Sequence, residues 1–318
     1  MEKRRMTEPA PSVSVIMNCF NSGRYLREAI DSVYSQTYRD WEIIFWDNAS
    51  TDDSARIAGS YDGKIRYFRS DRTVQLGQAR NWAIEKSRGR FIAFLDCDDI
   101  WLPTKLEKQV KLLAERKEAS LIYSNYFRLY PGKRKKLTFK TAQPEGDVFE
   151  QFLYAYPIGL LTAIVRREDI CSLGSMFDEK LYLWEQYDLF MRLLYRSKAA
   201  YVDEPLAIYR IHPESGTVKF MFKPNYTEEL SYVVEKFKKM DPDFEIKYSR
   251  GLAHINSKIS FLKAKMELGQ GRPREARDIL RKCEWLDYKF TLIYLSTLLP
   301  NAVIRAILRF RERYILGF

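Results

Sequence analysis

The stretch Phe91–Trp101, FIAFLDCDDIW, runs five apolar residues into Asp96, Asp98 and Asp99. So short an apolar run, ending in polar residues, reads as a buried strand. Three carboxylates at the end of such a strand repel one another and lose water, and a divalent cation relieves both penalties. An aspartate there can instead cap the next helix or close a turn, since Pro103 and a helical pattern follow. One cap does not need three acids.

Working outward, strand and helix signals alternate. VSVIM at Val13–Met17 reads as a strand, a helix follows with Leu26, Ile30 and Val33 on one face, and WEIIFW at Trp41–Trp46 is a second strand. A helical turn after Ser50, a strand at Ile65–Phe68, a helix near Gln78–Ser87, the strand Phe91–Leu95, a helix over Lys105–Glu115 and a strand at Leu121–Leu129 continue the order. The alternation predicts an α/β protein whose mostly parallel sheet carries helices on both faces. Ligands of open α/β sheets lie beyond the carboxyl ends of the strands, and those ends carry Asn18–Asn21, Asp47–Ser50 and Asp96–Asp99. The first junction, NCFNSGRYL, lacks both GxGxxG and GxxxxGK[ST], which disfavours dinucleotide and P-loop phosphate binding.

After about residue 218 the pattern turns helical, with Leu252, Ile255, Ile259, Leu262 and Met266 on one face, then a GQGRP turn and a second amphipathic run at Ala276–Leu280. We expect a domain over residues 1–217, its first half about 11–130 and its second about 131–217, and a C-terminal helical appendage over 218–318.

The 318 residues are 46% hydrophobic, with 14 Gly and 12 Pro, so an ordered globular chain is expected. Lys and Arg number 53 against 42 acids, a net charge of +11 that suits an anionic partner. Cys19, Cys97, Cys171 and Cys283 form no CxxC pair and His212 and His254 are the only histidines, which argues against a zinc cluster or a disulfide framework. The basic start MEKRRMTEPAPS has no apolar core behind it, and Leu292–Ile304, broken by Pro300 and Asn301, falls short of a membrane span. A cytoplasmic location follows as the expectation. No nucleic-acid motif is found, and that class of partner is not expected.

In order, PSVSVIMNCFNSGRYLREAIDSVYSQTYRDWEIIFWDNASTDDS, LGQARNWAIEKSRGRFIAFLDCDDIWLPTKLEKQ, FDEKLYLWEQYDLFMRL and YRIHPESGT closely resemble glycosyltransferase family two, over residues 11 to about 217. The resemblance implies a GT-A fold with a Rossmann-like nucleotide-binding half, and transfer of a sugar, with inversion, from a nucleoside diphosphate donor. It implies that Asp98 contacts Mn2+ or Mg2+ on the donor diphosphate, that Asp96 lies near the donor ribose, and that His212 approaches the metal. The segment DNAS, Asp47–Ser50, matches a loop whose acids read the donor base. Its second acid is Asn48 here, which both donates and accepts and so bears on the uridine preference the family implies. With Asn18, Asn21, Arg80 and Asp96, these residues form the expected donor-binding set. Ser50 and Asp53 also read as a capping box, and Arg80 as a surface-helix residue.

An inverting enzyme needs a base for the acceptor hydroxyl proton. Family members carry an acidic pair before YDL, the second member acting as base, whereas this chain has Glu185 followed by Gln186. Gln186 cannot accept a proton at neutral pH, which leaves Glu185 as base or as a charge at a helix start. Asp188, in the same motif, joins Glu185 and Gln186 as a catalytic candidate, and its place four residues from Arg192 also suits a helix-face pair.

The basic segment Arg128–Lys140 reads as a hairpin tip or a contact for phosphate headgroups. Arg305, Arg309 and Arg313 beside Ile304, Ile307 and Leu308 read as an amphipathic helix that packs on the protein or lies on a membrane. The expectation is a metal-dependent enzyme using a UDP-sugar and a saccharide or lipid-linked saccharide acceptor at the inner face of the cytoplasmic membrane. The alternative is a catalytically silent nucleotide-sugar-binding or scaffold protein of the same fold.

Overall fold

β1 (Val13–Cys19) and β2 (Trp41–Asp47) are apolar on both faces and buried almost throughout, as strands covered by helices on both sides must be. They pair in parallel from Val13 opposite Trp41 to Cys19 opposite Asp47. The computed structural model describes residues 10–212, 215, 225–283, 288–299 and 303. β3 (Ile65–Arg69) joins β2 in parallel and β4 (Phe91–Phe94) joins β1 in parallel. The crossovers are α1 (Gly23–Tyr34), α2 (Ser54–Ala58) and α3 (Leu76–Lys86). Leu26, Ala29, Ile30 and Val33 form the buried stripe of α1 and pack against the sheet.

Between α3 and β4 the chain passes tightly under β1. A Cβ on Gly89 would lie 2.5 Å from the Ser14 nitrogen, so only glycine fits there.

Beyond β4 come β5 (Ile100–Trp101), α4 (Lys105–Glu115), β6 (Ala119–Tyr130) and β7 (Arg134–Leu137). α5 (Phe149–Tyr154), β8 (Ile164–Arg166), α6 (Arg167–Cys171), α7 (Glu185–Leu194) and β9 (Lys198–Arg210) follow. The sheet order is β3-β2-β1-β4-β8-β6-β9-β5, with β7 on β6. β8 runs antiparallel to β4 and β6, β9 parallel to β6, and β5 antiparallel to β9. The sheet curls, because β5 at its far end is tied back to α1 where the Trp101 amide donates to Ser32 Oγ at 3.1 Å. The Trp101 ring is held by its Nε1, which donates to the Leu161 carbonyl at 2.8 Å.

The chain divides into two units, one of Met1–Leu129, Lys135–Val148 and Pro157–Arg210, the other of Tyr130–Arg134, Phe149–Tyr156 and Ile211–Phe318. The first holds the sheet. The second is helical, comprising α5 with α8 (Asn225–Met240), α9 (Phe244–Lys247), α10 (Ser249–Gly269), α11 (Pro273–Arg281) and α12 (Tyr288–Ser296). Its centre is aromatic, with the Phe149 ring packed edge-on to Phe237, Phe244 and Tyr248. A Cβ on Gly251 would come within 2.6 Å of Leu153, which is how closely α5 and α10 approach. A separate cluster of Ala264, Leu268, Ala276, Leu280, Phe290 and Ile293 joins α10, α11 and α12. His254, of α10, lies 5.1 Å from the ring of Tyr154. Among the described residues no helix is long and apolar enough to cross a membrane, and the basic run Ile304–Arg313 lies outside them.

Candidate active site

The carboxyl ends of β1, β2 and β4 form one rim of the sheet unit. At β1, the side-chain nitrogen of Asn18 is buried without a hydrogen-bond partner, a donor left for a ligand to satisfy. Asn21 has φ of 49°, in the left-handed region that Asn tolerates. Its Oδ1 accepts from the Thr51 amide at 2.8 Å, and its own amide donates to Ser50 Oγ at 3.0 Å. This ties the first junction to the second.

At β2, the structure turns Asp47 inward. Its carboxylate is fully buried and accepts from the Ser50 amide at 2.7 Å, Tyr67 hydroxyl at 2.6 Å and Arg69 Nη1 at 3.1 Å. Asn48 is likewise engaged, exchanging two bonds with the Val74 backbone at 2.8 and 3.0 Å and accepting from Ser70 Oγ at 3.3 Å. Both side chains are thus fixed in place at the rim by their neighbours. The capping box expected of Ser50 and Asp53 does not form. α2 starts at Ser54, whose amide donates to Asp52 Oδ1, and Asp53 instead pairs with Arg56.

The acidic loop after β4 is a turn closed by the Asp99 amide donating to the Asp96 carbonyl at 3.1 Å. Asp99 is 1% exposed, and its Oδ1 accepts from the Arg210 amide at 2.9 Å. Arg210 Nε donates to the Asp98 carbonyl at 2.9 Å, so the end of β9 clamps the loop. Asp96 and Asp98 remain partly exposed. Burial raises the Asp99 carboxyl well above the ordinary range, and the charges of Asp98 and Asp96 raise it further against Arg210. Asp96 is also raised by desolvation, with Arg80 opposing and Asp98 adding to the rise.

Arg80, expected either at the nucleotide or on a helix surface, is 3% exposed. Its Nη1 donates to Glu185 Oε1 at 2.7 Å and its Nη2 to Asp96 Oδ1 at 2.9 Å, while its guanidinium lies 5.4 Å from the ring of Phe177. One cation thus joins the acid at the end of β4 to the acid opening α7. Glu185 Oε2 is buried with no hydrogen-bond partner, and burial raises the Glu185 carboxyl, Arg80 opposing and Asp96 adding to the rise. Gln186 donates to the Ile158 carbonyl at 3.3 Å. Asp188 is fully buried and pairs with Arg192 at 2.8 Å, and Arg192 Nη1 also donates to the Ser175 carbonyl at 2.6 Å. Asp188 therefore anchors α7 through the helix-face pair with Arg192.

The acidic loop suits Mn2+ or Mg2+ by its donor set: hard carboxylate oxygens on Asp96 and Asp98, in a cluster whose own charge already pushes Asp96 and Asp99 up. No group of three or more His, Cys, Asp or Glu side chains is arranged to enclose an ion among the described residues. His212 belongs to the helical unit, where its amide donates to Ser215 Oγ at 3.0 Å.

Arg210, Arg69 and Tyr67 were not singled out from sequence. Arg210 stands two residues before His212 in the YRIHP motif, a signal that could have found it. Arg69 and Tyr67 lie in an ordinary strand pattern that gives no hint of their grip on Asp47.

A curled α/β sheet with an acidic loop after β4 and a cation-bridged pair of acids defines a GT-A glycosyltransferase architecture. The chain belongs to glycosyltransferase family 2: the Glycosyl transferase family 2 model matches residues 14–169. It is 31% identical over 175 residues to the Escherichia coli UDP-Glc:alpha-D-GlcNAc-diphosphoundecaprenol beta-1,3-glucosyltransferase WfgD, covering 54% of this chain and 68% of the relative. It is 31% identical over 210 residues to the putative teichuronic acid biosynthesis glycosyltransferase TuaG of Bacillus subtilis, covering 65% and 81%. The match to an uncharacterized glycosyltransferase of Rickettsia bellii, 32% identical over 222 residues and 66% of this chain, spans only 31% of that relative's length. Among solved structures, S. aureus TarS 1–349 in complex with UDP-GlcNAc superposes with a TM-score of 0.68 at 19% identity, covering 96% of this chain and 92% of TarS 1–349. The mannosyltransferase PcManGT of Pyrobaculum calidifontis, in complex with GDP-Man and Mn2+, gives 0.58 at 15% identity, covering 94% and 86%.

Proposed function

We propose that this protein is a metal-dependent, inverting glycosyltransferase. It moves one sugar from a nucleoside diphosphate donor, a UDP-sugar, to a saccharide or lipid-linked saccharide acceptor in cell-surface glycan synthesis, at the inner face of the cytoplasmic membrane. The observation that carries the reading is the Asp96–Arg80–Glu185 bridge, which ties the donor-side acid to a buried acid whose Oε2 has no hydrogen-bond partner. Support for the nucleotide and the acceptor comes from TarS, solved with UDP-GlcNAc, and from WfgD, whose name specifies a diphosphoundecaprenol acceptor.

In this reading the Asn18 amide and the Asn21 turn meet the nucleotide, Asp96 meets the donor ribose, and Asp98 would hold Mn2+ or Mg2+. The bound ion supplies positive charge against the diphosphate as the glycosidic bond breaks. Glu185, ionised, accepts the acceptor hydroxyl proton on Oε2 while Arg80 fixes Oε1. Gln186, which lacks a basic group, positions the start of α7.

A thermal-shift panel of UDP, GDP, CDP and dTDP, each with and without Mn2+, tests the reading. A ligand at about 100 times its dissociation constant adds about 2.7 kcal/mol of stability. A UDP shift that requires Mn2+ and is lost in Asp98→Asn is the expected result, together with a fall in transfer of about a hundredfold. Full transfer by Asp98→Asn, or in chelator, would remove the metal from the mechanism. Metal-dependent nucleotide binding without transfer to any acceptor would favour the silent nucleotide-sugar-binding alternative.

A further inference from the structure

Arg210 touches the acidic loop and also reaches α1. Its Nη2 donates to Glu28 Oε2 at 2.7 Å, and its guanidinium carbon lies 4.3 Å from the centre of the Tyr25 ring. Tyr25 and Glu28 stand three residues apart and so share one face of the helix. The neighbouring stripe of α1, Leu26, Ala29, Ile30 and Val33, is buried in the core of the sheet unit. The two side chains that meet Arg210 are therefore presented from a rigid support.

What this support fixes is one peptide group. The unit joining Asp98 to Asp99 is held at both poles: its N–H donates to the Asp96 carbonyl at 3.1 Å, and its C=O accepts from Arg210 Nε at 2.9 Å. A peptide group is planar, so two opposed bonds fix its orientation and with it the direction in which the Asp98 side chain leaves the backbone. The second of those bonds is only as firm as the arginine that makes it. A long, rotatable side chain holds a carbonyl well when its own head is fixed, and the Arg210 side chain is 13% exposed, with an aromatic ring against its guanidinium and a carboxylate on Nη2. Groups that orient a metal ligand without touching the ion govern affinity almost as strongly as the ligands do.

We infer that Glu28 and Tyr25 of α1, acting through Arg210, are positioning residues for the Asp98 carboxylate, so that affinity for the divalent cation is set in part from α1. The inference rests on the metal-dependent reading above and adds to it the side chains that hold the acidic loop in shape.

Calorimetric titration of the full chain with UDP over a series of Mn2+ concentrations tests this, with thermal melts to check that each variant is folded. Arg210→Met keeps the backbone bond to Asp99 and removes the side-chain grip on Asp98, and should raise the Mn2+ needed for half-maximal binding about ten- to a hundredfold. Glu28→Ala and Tyr25→Leu should each raise it about two- to fivefold, with UDP binding in the absence of Mn2+ unchanged. Added to Arg210→Met, Glu28→Ala should have no further effect, because it acts through the arginine. In metal-free protein the amides of residues 95–101 should exchange faster in Arg210→Met and Glu28→Ala than in the wild type. Glu115→Gln is the control, since it breaks an exposed ion pair with Lys111 on α4. A Mn2+-dependent wild type whose Glu28→Ala and Arg210→Met variants match it in Mn2+ requirement or in exchange would overturn the inference alone, as would additive effects in the double variant. A wild type that binds UDP equally with and without Mn2+ would overturn the metal-dependent reading and this inference with it.

Discussion

Arg80 Nη1 lies 2.7 Å from Glu185 Oε1, across 105 positions of sequence, while its Nη2 lies 2.9 Å from Asp96. One buried guanidinium therefore opposes the desolvation that raises both carboxyls.

Arg80→Met is expected to lower transfer about a hundredfold, because both acids lose the partner that favours their charge. The pH profile separates this positioning role from simple damage: the acidic limb should move to higher pH, since removing Arg80 leaves desolvation unopposed at Glu185. Arg80→Lys should recover little, as a single ammonium cannot reproduce two divergent N–H contacts. A folded variant whose profile keeps its position would refute the coupling.

Glu185→Gln should lower kcat about 10²- to 10⁴-fold while nucleotide binding persists, if Glu185 takes the acceptor proton. The Glu185 pKa lies above its ordinary value, so the ionised base accumulates as pH rises and the wild-type rate should climb with it. Gln186→Glu, by contrast, restores an acid at the position that family members use. A large gain there with no loss in Glu185→Gln would transfer the role to position 186. Steady-state rates across pH decide between them.

Lys105 offers a stability test that does not touch the rim. Its ammonium is fully buried, 2.6 Å from Gln109 Oε1 and 4.3 Å from the Trp101 ring centre, and burial lowers its pKa to about 7. An unfolded lysine stays protonated to about pH 10.4, so between about pH 7 and that value unfolding takes up a proton and stability rises with pH. The slope expected from this one group is about 1.4 kcal/mol per pH unit. Lys105→Met should remove that slope in urea titrations, and an unchanged slope would show that the lysine stays charged in the fold.

Gly89→Ala should destabilise the sheet by about 1–3 kcal/mol, because the added carbon meets the backbone of Val13 and Ser14, which cannot move aside. The denaturant midpoint reads the cost. A neutral result would mean that the Ser87–Arg90 passage is looser than this packing requires.

Much of the sheet was legible. β1, β2 and β4 are mostly apolar runs, and α4 was placed residue for residue at Lys105–Glu115, because burial on both faces or on one helical stripe writes itself into residue type. β5 is two residues long and β9 contains Pro205 and exposed charges, so neither shows a period to read. α5 is a single short helix whose partners, α8 and α10, lie far along the chain. At the site, the acid loop and the Glu185 motif were visible as residue types. The inward turn of Asp47 was not, because it depends on Tyr67 and Arg69 arriving from β3, and no local pattern encodes a bond across 20 or 22 positions. The burial of Arg80 was hidden for the same reason.

The clamp that Arg210 places on Asp98 and Asp99 spans more than a hundred positions. During synthesis at about 5–20 residues per second, β9 emerges roughly 5–20 s after the acidic loop. In that interval the nascent chain can form its parallel strands with the acids still unset, so the loop takes its final shape late. A chain cut just before Arg210 would keep most strands of the sheet unit and lack the finished loop.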